Sequence, residues 1–259
     1  MRDDTIPVHQ ADSLPPPMPR NDDDAQPIAH WTHTLIVVLA LVFIAIASHS
    51  RAHAAAETGS KAARYLPTVV LEWMLLGSVI AGIYARREFF IRAFMNRAHT
   101  HWQSVGRGFA LYPAGMAAIL IIGLALHFTP LGAKTNPEVV LALLPRSASE
   151  FAMWFAVSIT AGVCEELIFR GYLLRQAIAW TRRPMLAIAL TSLLFGSLHA
   201  YEGLAAVLPL AALAMVYGIV VQRSRGDLRA VIVAHTLQDF LVALLALARP
   251  VLERAQSMH

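Results

Sequence analysis

Residues 161–171 read Ala161-Gly162-Val163-Cys164-Glu165-Glu166-Leu167-Ile168-Phe169-Arg170-Gly171, inside an apolar run from about 150 to 179. A bilayer's hydrocarbon core needs about 20 predominantly apolar residues in helical form, rising roughly 1.5 Å each, and this run meets that length. Yet it carries Glu165, Glu166 and Arg170 near its middle. A charged side chain in lipid costs several kcal/mol, so these three must be paired, face a water-filled cavity or serve a function.

The rest of the chain places this run among others like it. Of the 259 residues, 57% are hydrophobic and 15% charged, which is more apolar than a soluble domain of this length needs for its core. Further apolar runs occupy approximately 32–50, 65–85, 108–129, 184–201, 203–222 and 230–249. Together they predict an all-α, polytopic transmembrane helix bundle of about seven spans. The segment 138–144 is apolar but too short to cross, and reads as interfacial. Residues 1–31 hold Leu14-Pro15-Pro16-Pro17 and Asp22-Asp23-Asp24 without an apolar core, and read as a disordered tail rather than a signal peptide. The remaining divisions are helices and loops over 32–149, a helical core carrying the charged motifs over 150–249, and a short tail over 250–259. No repeat at a fixed period points to a solenoid or a duplicated transporter half.

The formal charge of +4 does not indicate a nucleic-acid partner, because the basic residues fall in short clusters between apolar runs, as the positive-inside rule expects. With the N-terminus inside, the inner loops hold Arg86, Arg87, Arg92 and Arg97, then Arg175, Arg182 and Arg183, then Arg223, Arg225 and Arg229. The outer loops hold fewer: Arg51, Lys61 and Arg64, then Lys134 and Arg146. The expectation is an N-inside, C-outside protein, and the Ala- and Arg-rich composition suits a bacterial cytoplasmic membrane. One cysteine, Cys164, excludes an intramolecular disulfide framework and a multi-cysteine metal site.

Two more runs contain polar groups that lipid disfavours, Phe195-Gly196-Ser197-Leu198-His199 and His235-Thr236-Leu237-Gln238-Asp239. Residues four apart share a helix face, while neighbours diverge by about 100 degrees. Glu166 and Arg170 can therefore pair, which leaves Glu165 on another face as the candidate base. His235 and Asp239 share a face, and Phe195 lies one turn before His199. Hydrolysis in a dry environment needs a base to activate water and preorganised donors for the oxyanion. Glu165 with His199 suits the first task, and His235 with Asp239 the second. Counting along the runs puts Glu165 near mid-membrane, His199 toward the outer end of its span and His235 toward the inner end of its own. They meet only if the fifth helix runs past Gly203 or the helices tilt and shift.

The three motifs, Glu165-Glu166 with Arg170, Phe195 with His199, and His235 with Asp239, resemble in order those of the CAAX prenyl endopeptidase and bacteriocin-processing family of intramembrane proteases. The resemblance covers roughly residues 150–245. It implies an all-helical bundle that hydrolyses a peptide bond of a membrane-embedded or lipidated peptide or protein. It also implies that Glu165, Glu166, His199, His235 and Asp239 are catalytic, with Arg170 and Phe195 supporting the site. The family's last motif ends in asparagine or aspartate; aspartate here donates no hydrogen bond unless protonated, so a prenylated substrate does not follow. The family has been described both as metalloproteases and as metal-free, glutamate-dependent enzymes. If a zinc ion is required, Glu165, His199 and His235 are its candidate ligands.

Competing readings are blander. The Glu166–Arg170 pair can be a structural lock, His199 an interfacial imidazole bonded to a backbone carbonyl, and His235 with Asp239 an interhelical polar contact. Cys164 reads first as a small hydrophobe, and as a nucleophile only in a minor alternative. The chain as a whole can be a non-catalytic immunity or scaffold protein of the same fold, or a proton-coupled transporter, which the missing repeat disfavours. Glu72 and Glu202 are lone acids without an assigned role. Gly162, Gly171, Gly196 and Gly218 suit close helix contacts, and His99, His101 and His127 read as loop histidines.

Overall fold

The computed structural model describes residues 26–54, 62–84 and 101–256. Among them every regular element is helical: α1 (Trp31–Ala54), α2 (Ala62–Tyr84), α3 (His101–His127), α4 (Pro137–Leu143), α5 (Ala148–Thr181), α6 (Pro184–Leu198), α7 (Leu204–Arg223) and α8 (Arg229–Gln256). Most of the proposed tail (1–25), the loop residues Lys61, Arg86, Arg87, Arg92 and Arg97, and His99 lie outside the described residues, as do the side chains of Arg51 and Arg64.

All seven predicted runs fall in helices, but the span count differs from the expectation. Among the described residues four stretches are long and apolar enough to cross a membrane: Tyr65–Ile83, His101–His127, Ala148–Thr181 and Leu204–Arg223. The described part of the apolar run in α1, Trp31–Ala47, and α6 are shorter. α6 ends because the chain turns at His199 into a single 3-10 turn, Ala200–Glu202. α8 carries Arg229, His235, Gln238 and Asp239 within an otherwise apolar run. The helix α8 continues to Gln256, so the predicted tail at 250–259 is helical over most of its length.

The predicted N-terminal tail also ends earlier than its boundary at residue 31. Ile28 and Ala29 are buried, and their backbone N–H groups donate to Oε1 of Gln176, at 2.7 and 3.3 Å. Gln176, itself fully buried, donates in return to Ala29 O and Thr34 Oγ1. A buried amide costs free energy unless its donors and acceptors are met, and here both ends are. This anchor, with Tyr172 bonded to His33 and Thr34 at 2.7 and 2.8 Å, fastens the start of α1 to α5.

α5 is the central helix. Its start is capped by Ser147, whose hydroxyl accepts from Glu150 N, while Glu150 accepts from Arg146 N. α2 packs on one side of it and α8 on another, α8 also lies along α3, and α6 and α7 form a hairpin. Close approach is built into the sequence: a Cβ on Gly162 would strike Thr236 of α8, and one on Gly196 would strike the backbone at Val207 of α7. Small residues serve this purpose where lipid supplies no hydrophobic drive between helices. Outward faces carry large apolar groups such as Ile36, Phe43, Leu120, Leu124, Leu190 and Leu193, as lipid contact requires.

Candidate active site

The charged stretch of α5 is wound unusually. From Leu167 to Leu173 the helix is a π-helix, and Leu174 N donates to Phe169 O five residues back. Such wide turns are rare and occur mostly at functional sites. Cys164, Glu166, Ile168, Phe169, Arg170 and Tyr172 are all buried there, so the only routes to stabilising the two charges are partners.

Those partners are present. Arg170 Nη1 donates to Glu166 Oε1 at 2.8 Å, the expected i,i+4 pair. The same oxygen lies 2.8 Å from His235 Nδ1, so Glu166 ties α5 to α8 as well as to its own helix. A carboxylate that accepts from Nδ1–H fixes the tautomer and orientation of the ring and leaves Nε2 as the working atom. That Nε2 stands between two further carboxylates, 3.9 Å from Glu165 Oε2 and 3.8 Å from Asp239 Oδ2. Glu165 itself is about one-fifth exposed, and its Oε2 has no hydrogen-bond partner. Glu166 Oε2 is likewise without a hydrogen-bond partner, so the two acids differ in exposure and in Oε1 of Glu166, which takes both Arg170 and His235.

Phe195 organises the remaining groups. Its ring packs edge-on against Phe169 at 5.0 Å between centroids, lies under the Arg170 guanidinium at 4.7 Å, and meets His235 at 6.2 Å and His199 at 4.8 Å. Cation–π attraction is strongest where the cation is desolvated, as Arg170 is. His199 Nδ1 lies 2.9 Å from Phe195 O and donates to it, which is the contact of the bland reading. The ring is also clasped between Phe195 and Tyr201, so Nε2 is held in one direction and remains able to accept a proton. It lies near enough to Asp239 to interact with it electrostatically across the gap between α6 and α8.

Packing across helices brings the second motif against the first and the third. α6 does not run past Gly203; the chain breaks at His199, and helix packing brings Phe195 of α6 beside His235 of α8 and Phe169 of α5. Cys164 is fully buried in the core, without the exposure that a nucleophile needs.

Several contributors carried no legible signal. Tyr217 of α7 covers the other side of Arg170 at 5.6 Å and donates to Gln238 at 3.4 Å. Trp154 holds the turn at Asp239 by donating to its carbonyl at 3.0 Å. An aromatic residue in an apolar run is indistinguishable from lipid-facing or core residues until its helix is placed, although a buried Tyr hydroxyl always wants a partner.

Among the described residues no group of three His, Cys, Asp or Glu is placed to hold a metal ion.

Apolar outside and carrying a paired, partly unsatisfied acid, imidazole and guanidinium cluster inside, this is a polytopic helical integral membrane protein. Residues 147–241 match the Rce1-like family, described as type II CAAX prenyl endopeptidase Rce1-like, which is a protease family. The match starts at the Ser147 cap of α5 and ends just after Asp239, enclosing all three motifs and leaving α1 to α4 outside. No curated protein and no solved structure matches the chain.

Proposed function

We propose that the protein is an intramembrane endopeptidase in which Glu165 activates water. The observation that carries this reading is the bridging of Glu166 Oε1 between Arg170 and His235, which turns the free imidazole nitrogen toward Glu165 and Asp239. Glu166 is spent on structure, and Glu165 is available.

In the reaction, water attacks the scissile carbonyl carbon, one proton passes to Glu165, and the carbonyl electron pair moves to oxygen. His235 Nε2, protonated, donates to that oxyanion, and Glu166 keeps the ring aimed. When the intermediate collapses, the C–N bond breaks and Glu165 returns the proton to the leaving nitrogen, with His199 Nε2 placed to share proton transfer. Asp239 orients His235 by charge. The substrate is a membrane-embedded or lipidated peptide or protein, met in a bacterial cytoplasmic membrane with the N-terminus inside. Protein termini in membranes from cells carrying the wild type and Glu165→Gln at equal abundance test this reading. Cleavage sites found only in the wild type are the expected result, and identical termini across growth conditions would sink it.

A further inference from the structure

The cluster has one more acid close by, and it comes from outside the family-matched segment. Glu72 lies on α2 in the stripe Glu72, Leu75, Leu76, Val79 and Ile83, whose four apolar members are buried. A residue at that spacing faces inward. The adjacent Trp73 donates to Thr160 Oγ1 of α5 at 3.2 Å, which pins this turn of α2 one helical turn before Cys164 and Glu165. Glu72 is close enough to Cys164, Glu165, His235 and Asp239 for their charges to act on one another. Its Oε2 is buried without a hydrogen-bond partner, as is Oε2 of Glu165.

Orphaned acceptors on neighbouring acids are unfavourable for folding unless something satisfies them; Glu166 shares the condition at Oε2 but has Arg170 and His235 on its other oxygen, which leaves Glu72 and Glu165. One water molecule has the right valence: two O–H groups, one for each carboxylate, and a lone pair left to point at a carbonyl. We propose that Glu72 is a positioning residue of the Glu165 site, holding the attacking water against Glu165 from the opposite helix. This rests on the reading of Glu165 as the base. In the attack, the O–H facing Glu165 gives up its proton to that carboxylate as the new C–O bond forms. The O–H facing Glu72 stays intact as the hydroxyl of the tetrahedral intermediate.

The test uses the full-length protein in liposomes and a synthetic peptide spanning a terminus that depends on Glu165. Glu72→Leu fills the same space without an acceptor and should lower kcat by roughly 10²-fold, the scale of a misplaced reactant, with KM and thermal unfolding nearly unchanged. Glu72→Gln keeps an acceptor oxygen at the same reach and should recover most of that loss. Wild-type kcat in Glu72→Leu while Glu165→Gln is inactive would overturn the role of Glu72 alone. So would losses in both Glu72 variants that merely follow falling unfolding temperature, since that is a structural part. Full activity in Glu165→Gln would remove both readings together.

Discussion

Glu165 and Glu166 are neighbours of identical chemistry, and their surroundings set them apart. Both have an Oε2 without a hydrogen-bond partner, but Glu166 has no exposure and two partners on Oε1, whereas Glu165 is partly exposed and faces His235 Nε2 at 3.9 Å. Removing one member of a buried pair strands the other, so Arg170→Met should destabilise the protein by about 3–5 kcal/mol. Glu165→Gln breaks no hydrogen bond at Oε2 and should change stability by about 1 kcal/mol or less, while eliminating cleavage. Denaturant titration in detergent micelles, read beside the activity, separates the two: equal destabilisation would show that both acids are structural. The reading of Glu165 as a metal-free base further predicts that cleavage persists after exhaustive chelation and that purified protein carries no stoichiometric zinc; loss on chelation with recovery on adding zinc would reverse this. The Glu166–Arg170 pairing and the surplus Glu165 were legible from helical spacing alone. The bridge from Glu166 to His235 was not, because it joins residues 69 positions apart on different helices, and spacing is silent on which helices touch.

Helix against helix, the site depends on how closely α5 and α8 approach. Gly162 leaves room for Thr236, with the Thr236 backbone N at 3.0 Å and Ile232 O at 3.1 Å from where a Cβ would stand. Gly162→Ala should therefore cost about 1–3 kcal/mol by overpacking and reduce cleavage as well, and Thr236→Ala should recover only part of the stability, since the backbone contacts remain. A double-mutant cycle by thermal unfolding measures this, and full recovery would mean that the hydroxyl alone sets the distance. At the junction of α7 and α8, Asp227 accepts from Arg229 Nε at 3.0 Å and Nη2 at 2.8 Å. Burial alone would push its carboxyl up, but the hydrogen bonds and charge of Arg229 outweigh burial and hold it below its ordinary value of 3.8. A depressed carboxyl adds stability above its ordinary value and loses it as pH falls toward the folded one. Acidification below about pH 4 should thus destabilise the wild type by about 1 kcal/mol more than Asp227→Asn, read as unfolding temperature against pH; parallel curves would contradict it. The existence of these helices followed from apolar runs, whereas their ends did not. Nothing in the composition around Leu198 foretold that α6 stops there.

For the molecule as a whole, the excess of arginine in alternate loops makes a topological claim that can be measured directly. In a Cys164→Ala background, a cysteine introduced at Asp22 should react with a membrane-impermeant maleimide only after permeabilisation, and one at Ser257 should react in intact spheroplasts. Reaction of both on the same side would require an even number of crossings. The all-helical class was legible because length and hydropathy alone decide what can cross lipid. Among the described residues four stretches are long and apolar enough to cross, and α6 is shorter because the chain turns at His199.

A π turn is an ordinary helical turn lengthened by one residue, and Leu167–Leu173 holds such a surplus directly beyond the two glutamates. The chain could lose one residue here and stay helical on both sides. The residues after the deletion would keep their facing relative to Glu165 and Glu166, because the wider winding spends one more residue on about the same rotation, and Gln176 would stay on the N-terminal segment it fastens. One residue removed from the regular turns of Ala148–Glu166 would instead swing all that follows by about 100 degrees relative to the start of the helix. A scan of single-residue deletions would separate the two stretches, tolerated in the first and damaging in the second, where a scan of substitutions would not.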